Sequence, residues 1–228
     1  PNPREIYNQK LLTAGSVEAD LAKEMEAEFR GMLQQKLESA KAGDAMPQDS
    51  FVKELWEGYR TPAEKDFLQQ PATAVDEKIF NALAEKLTTI PNGFKAFSKI
   101  EKLFNDRKKM IADGTFDWAM GELMAYATLS QEGHAVRMSG QDCERGTFSH
   151  RHAIIRQEDS EDAYNTFDSL EQLKKAPVEF YNSLLSEYAV LGFEYGYSMV
   201  TPKVLTIWEA QFGDFSNGAQ IIIDQYIS

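Results

Sequence analysis

Cysteine is almost missing. Cys143 is the single cysteine in 228 residues, so no internal disulfide framework is possible. Long apolar runs are missing as well: nothing approaches the roughly eighteen apolar residues a membrane-spanning helix needs, and no membrane partner is predicted. Basic charge is scarce, with 24 Lys and Arg against 36 Asp and Glu and a formal net charge of −12. Phosphate backbones demand a basic surface, which excludes a general nucleic-acid binder. The N-terminus shows no basic segment leading into an apolar one, so no targeting segment is visible. Neither a GxGxxG motif nor a P-loop occurs. His150 and His152 stand two apart with no third ligand at usable spacing, and no metal site is predicted.

What is present divides by periodicity. Residues 1–14 read as a polar lead-in. From Ser16, a natural N-cap, Leu21, Met25, Phe29, Met32, Leu33 and Leu37 recur at helical steps until Gly43 stops them. The charged remainder is a solvated helix face or a partner-binding one. Residues 43–71, broken by Pro47, Gly58, Pro62 and Pro71, form a connecting segment whose Trp56 and Tyr59 dock on neighbouring helices. Three more helices follow. One spans Asp76 to Leu87; one runs through Phe94, Ile100 and Phe104, with Asn105 to Lys109 as a charged face before Gly114. The third runs from Thr115 to Gly133, capped by Asp117 and carrying Glu122 among apolar residues.

Beyond Gly133 the pattern becomes short strand-like runs at 135–138, 153–155, 178–181 and 205–208, with a helix from Ser186 to Val200 and a last one from Ser216 or Asn217. Residues 156–173 read as an exposed connection, and 205–208 as a buried strand. Strands alternating with helices predict an α/β protein: an N-terminal helical segment, then a truncated, mostly parallel sheet with helices on its faces. The boundary falls near 115.

The polar density peaks between Ser139 and His152, in the loop after the first strand, which carries two glycines, two arginines and two histidines. Ligands collect at the carboxyl ends of strands in such sheets, so this reads as a ligand loop. Glu194 is the other outlier, an acid among Val190, Leu191, Phe193, Tyr195 and Tyr197 that must be paired, protonated or in contact with a ligand. Arg145 and Arg151 serve an anionic substrate or pair with Asp142 and Glu144. Cys143 has no partners for a nucleophile's role. Glu209, Gln211 and Asp214, again after a strand, line a cleft or fix their loop.

The segment SGQDCERGTFSHRHAII (139–155) resembles the decarboxylating first component of the 2-oxoglutarate dehydrogenase complex, a thiamine-diphosphate enzyme. The resemblance recurs in LGFEYGY (191–197) and LTIWEAQFGDF (205–215), and more faintly in FDW (116–118) and PREIY (3–7). It implies a helical linker over 1–115 and a pyrimidine-binding α/β domain over 116–228, truncated at its C-terminus. It also implies that Glu194 hydrogen-bonds the aminopyrimidine ring nitrogen with Phe193 and Tyr197 beside the cofactor. His152 then faces the substrate, aided by His150 and Arg145.

The family holds the diphosphate through magnesium with a Gly-Asp-Gly motif, and no such tripeptide occurs here: Gly43-Asp44 and Gly213-Asp214 are followed by Ala45 and Phe215. The resemblance thus implies a fragment that begins after the diphosphate domain, inactive alone and without tightly bound thiamine diphosphate or magnesium. The implied partners are a second copy of the chain, completing a homodimer's active site, and a lipoyl-bearing dihydrolipoyl succinyltransferase. The compartment is the cytoplasm in a bacterium and the mitochondrial matrix in a eukaryote. A relative acting on 2-oxoadipate is the neighbouring alternative; a non-catalytic acidic helical interaction module is the alternative of another class.

Overall fold

The computed structural model describes residues 2–43, 51–214 and 217–228. The chain divides into two compact units, residues 1–51 and 52–228.

The first unit is helical from its start. Residues 3–13, expected as a lead-in, are helix α1 (Pro3–Thr13): the Asn2 side chain accepts from the Arg4 N–H at 3.0 Å, and Pro3 presets the helical φ where no N–H is needed. Helix α2 (Ala19–Lys41) starts after Glu18, which makes no side-chain cap, and not at Ser16. Arg4 and Glu26 join the two helices at 3.4 Å.

Helix α3 (Phe51–Leu55) begins at the division and α4 (Glu64–Phe67) lies in the second unit; both are brief, and Trp56 donates its indole N–H to the Met199 carbonyl. Helix α5 (Glu77–Leu87) is capped by Asp76, which accepts from the N–H groups of Lys78 and Ile79 at 2.9 and 3.2 Å. Helix α6 (Ser98–Asp113) ends on Gly114 in the left-handed region. Helix α7 (Trp118–Glu132) is capped by Asp117, accepting from Met120 N–H at 2.7 Å, and stopped by left-handed Gly133. These ends match the sequence reading because caps and glycines are local signals.

Strands β1 (Ala135–Gly140), β4 (Val178–Asn182) and β5 (Val204–Glu209) make a parallel sheet in the order β4–β1–β5. Strands β2 (Ile154–Arg156) and β3 (Ala163–Asn165) form a separate antiparallel ribbon. Residues 156–173 are therefore no exposed connection. They contain β3 and a tight helical turn, Thr166–Leu170, with Phe167 and Leu170 buried. Helix α8 (Glu187–Val200) connects β4 to β5 across β1. Strand β5, read as buried, is an edge of this sheet and half exposed, with Leu205 at 41%. A short α9 (Ala219–Ile222) widens into a looser turn ending at Ile227. Ser216, one of the two expected starts of the last helix, lies outside the described residues.

Alternation sorts β1. Val136 and Met138, in register with Val178 and Phe180, face a core completed by Leu83 and Leu87 of α5 and Met120, Leu123 and Ala127 of α7. Arg137 and Ser139 face the other way. This core draws on residues from both sides of position 115. Leu83, fully buried, is predicted to cost about 2–5 kcal/mol on replacement by alanine. Urea unfolding followed by far- and near-ultraviolet dichroism should show secondary structure and aromatic packing lost together, at a lower midpoint than in the parent.

Candidate functional site

The loop between β1 and β2 is built on close approach and strain. A Cβ on Gly140 would strike the backbone carbonyl of Glu209 on the neighbouring strand, and one on Gly146 would strike the His150 ring. Asp142, Ser149 and His152 hold φ of 58°, 54° and 41°, a left-handed conformation that costs a non-glycine residue energy. Backbone bonds sustain it: Arg151 and His152 both donate to the Arg145 carbonyl at 3.0 Å, and Ala153 donates to that of Glu144 at 2.9 Å.

Arg151 anchors the loop. Its side chain is buried, paired with Glu122 of α7 and Glu209 at the end of β5, and donates to the Cys143 carbonyl at 2.7 Å. Burial pulls the guanidinium down, but the carboxylates of Glu209 and Glu122 more than offset this and hold it above its ordinary value. Arg151 is thus not free for a substrate, and its partners are not Asp142 or Glu144. Asp142 pairs instead with Arg145 at 2.9 Å and Glu144 with Arg156 at 3.1 Å. Cys143 is fully buried, its thiol pushed up to about 11 by burial, and it points Sγ at the Tyr181 carbonyl at 3.2 Å. It is no nucleophile.

The histidines lie together. His152 borders an open cleft of about 660 Å³ walled by Phe97, Ile100, Leu103 and Ser149, and a smaller one of about 250 Å³ with Arg145, Asp142 and Asn182. Desolvation, then the charges of Arg107, Arg145 and His150, bring its imidazole down to about 4. It is neutral at physiological pH. The His150 ring rests on Gly146, its Nδ1 buried without a hydrogen-bond partner. Arg145 also donates to Ser149 Oγ at 2.7 Å.

Sequence reasoning missed Arg107, which was placed on a charged face. It is buried, its pKa pulled down to about 10 by desolvation, and donates to the carbonyls of His150 (2.9 Å) and Arg151. The signal was there: Ile100, Phe104, Arg107 and Ile111 fall on one helical stripe at steps of four, three and four.

Glu194 took the paired option. Its carboxylate is buried and both oxygens are held by Arg137 of β1, at 2.9 to 3.2 Å. Phe193 and Tyr197, expected beside a cofactor, flank that guanidinium with Tyr181, at 5.5, 4.8 and 4.4 Å from ring centre to Cζ. Position explains it. Helix α8 leaves the carboxyl edge of the sheet, and Glu194 stands seven residues along it, roughly 10 Å back over the sheet face. Glu187, in its first turn, stays at the edge. It is half-buried, pairs with no cation among the described residues, and accepts from Asn217 at 3.4 Å. A Cβ on Gly218 would come within 3.0 Å of its Oε2.

Among the described residues no group of three His, Cys, Asp or Glu is placed to hold a metal ion, and no helix is long and apolar enough to cross a membrane.

A parallel sheet with strained polar loops at its carboxyl edge is the frame of a family. The chain belongs to the family of the transketolase pyrimidine-binding domain, whose model matches residues 114–228. The 2-oxoglutarate dehydrogenase E1 component of Rickettsia felis is 42% identical over 229 residues, covering 100% of this chain and 23% of the relative. That of Brucella canis is 40% identical over 225 residues, covering 98% and 22%. The chain therefore spans less than a quarter of the length of these curated relatives.

Two predictions follow from the site's electrostatics. Replacing Arg151 with methionine strands two carboxylates in a buried site and should cost about 3–5 kcal/mol in chemical denaturation. For His152 the folded value lies below the ordinary 6.5, so the neutral form contributes stability above 6.5 that is lost as pH falls toward about 4. The difference in stability between the parent chain and His152→Asn should stay constant above 6.5 and shrink through that acid window.

Proposed function

We propose that this chain holds the pyrimidine end of thiamine diphosphate in a 2-oxo acid dehydrogenase. The enzyme to which it contributes decarboxylates 2-oxoglutarate and passes the succinyl group to the lipoyl arm of a dihydrolipoyl succinyltransferase. The observation that carries the reading is the carboxyl edge of the sheet: a neutral histidine in a cleft, beside arginines, on the same edge as a carboxylate with no cation partner among the described residues. Identity of about two in five residues along the whole chain to the E1 relatives supports the choice of reaction.

The residues fit the group. An aminopyrimidine needs a carboxyl for its ring nitrogen, and Glu187 offers one with space secured by Gly218. When bound, the cofactor supplies the nucleophilic carbon and holds the electron pair that decarboxylation releases. Glu187 shares a proton with the ring nitrogen through a carboxylate oxygen. His152 donates a ring N–H to the substrate's carboxylate or developing oxyanion, a role open to a neutral imidazole. His150 and Arg145 flank it and add donors and positive potential. Magnesium and the diphosphate belong to another part of the enzyme, and a second copy of the chain completes the site. With bacterial relatives, the proposed compartment is the cytoplasm.

A cofactor role for Glu194 is the second reading, favoured by its burial among aromatic rings. It requires Arg137 to release the carboxylate. In the complete enzyme, Glu187→Gln should slow exchange of the thiazolium ring proton by roughly 10²–10⁴, about 3 to 5 kcal/mol, with the fold intact. Glu194→Gln should instead lower stability and leave exchange near the parent rate; the opposite pattern assigns the role to Glu194. His152→Ala should spare exchange and impair turnover of 2-oxoglutarate, and preference for 2-oxoadipate in that assay would move the substrate assignment. The 228-residue chain alone should bind thiamine diphosphate poorly and be inactive; micromolar binding in calorimetry with magnesium present would contradict this.

A further inference from the structure

Arg107 lies outside the residues matched by the family model, on helix α6, yet its side chain ends inside the histidine loop. One guanidinium nitrogen donates to two successive carbonyls, those of His150 and Arg151, immediately before His152. That peptide run is strained, with left-handed residues at 149 and 152. Reversing either would turn the His152 ring out of the cleft, because the side chain follows the backbone at its own Cα. A buried cation that grips backbone, and has no carboxylate within ion-pair distance among the described residues, is expensive unless the place it holds matters.

We infer that Arg107 is a positioning residue of this site: it clamps the carbonyls of His150 and Arg151 and so fixes the backbone that presents His152 to the cleft. The inference deepens the reading of His152 as the substrate-facing group and rests on it for its functional meaning. The clamp also has an electrostatic side. Facing His152 are Arg107, Lys99, Lys102 and Asp106 from α6, with Arg145, Asp142, Glu144 and His150 from its own loop and Arg156 from β2. Burial is the first cause of the neutral imidazole and Arg107 the strongest charge acting in the same direction, so one side chain both clamps the backbone and adds to the suppression of protonation.

The test is a nuclear magnetic resonance titration of the whole chain. In Arg107→Met, His152 should titrate at a clearly higher pH than in the parent, toward the ordinary value. The amide protons of Arg151 and His152 should exchange at least tenfold faster than in the parent. Arg107→Lys retains the charge and one donor; it should leave His152 low-titrating and restore most of the amide protection. This variant also answers the question if the methionine variant does not fold. Unchanged titration and exchange in Arg107→Met, or a lysine variant no different from a folded methionine variant, overturn the inference. None of these readouts uses substrate or cofactor, so a failure of the proposed reaction, read from His152→Ala in the complete enzyme, is a separate result. There the acid limb of kcat/KM in Arg107→Met should shift upward in step with the titration.

Discussion

The loop that carries the site depends on one buried cation. Arg151 gives up its hydration entirely, and desolvation of a guanidinium is tolerable only when its donors are taken up. Here two carboxylates and a carbonyl take them, and each comes from a different place: Glu122 from the helix before the sheet, Glu209 from the last residue of β5, Cys143 from the loop itself. Because the partners belong to three elements, the ion pairs fix the relation among helix, edge strand and loop. Flanking residues can then be held in left-handed conformations that no isolated loop of this composition would keep.

The same accounting separates the two glutamates of α8. A carboxylate over the middle of a sheet is out of reach of water and must find its cation within the protein; Arg137 is that cation, itself spread against three aromatic rings. At the carboxyl edge the constraint is weaker. Glu187 sits in the first turn of the helix, where unpaired N–H groups favour negative charge, and it needs no ion partner to be stable there. A carboxylate at a helix end and open to its surroundings can share a hydrogen bond with a ligand. One already bonded through both oxygens must first give up what stabilises it.

Much of the fold was legible because its signals are local. Asp76 and Asp117 as caps, Gly114 and Gly133 as stops, and the switch to strand periodicity after Gly133 each act over a few residues, and each stands where the sequence put it. The failures are non-local. Residues 156–173 look exposed because their acids are conspicuous, whereas Phe167 and Leu170 are committed to a core assembled from α5, α7 and the sheet. The histidine loop was recognisable from polarity alone, but the ownership of its charges was not: Arg151 lies next to His152 in sequence and belongs to Glu122 and Glu209 in space. Glu194 was conspicuous for the right physical reason, an acid among apolar neighbours. Its partner, 57 residues away on the adjacent strand, was invisible to helical spacing.

Net charge also misleads at this scale. The chain is strongly acidic, yet the histidine pair sits in a locally positive field. The lowered titration of His152 records it, since after burial its causes are Arg107, Arg145 and His150. Keeping an imidazole uncharged needs such an arrangement, with cations near enough to suppress protonation and themselves partly neutralised by carboxylates. Asp142 on Arg145 performs that neutralisation at the rim, and Glu122 with Glu209 performs it inside. Arg107 donates to carbonyls and makes no ion pair among the described residues, although the charge of Asp117 acts on it. Its own charge acts on His152 across the backbone that it grips, which ties a residue on α6 to a loop more than forty residues downstream.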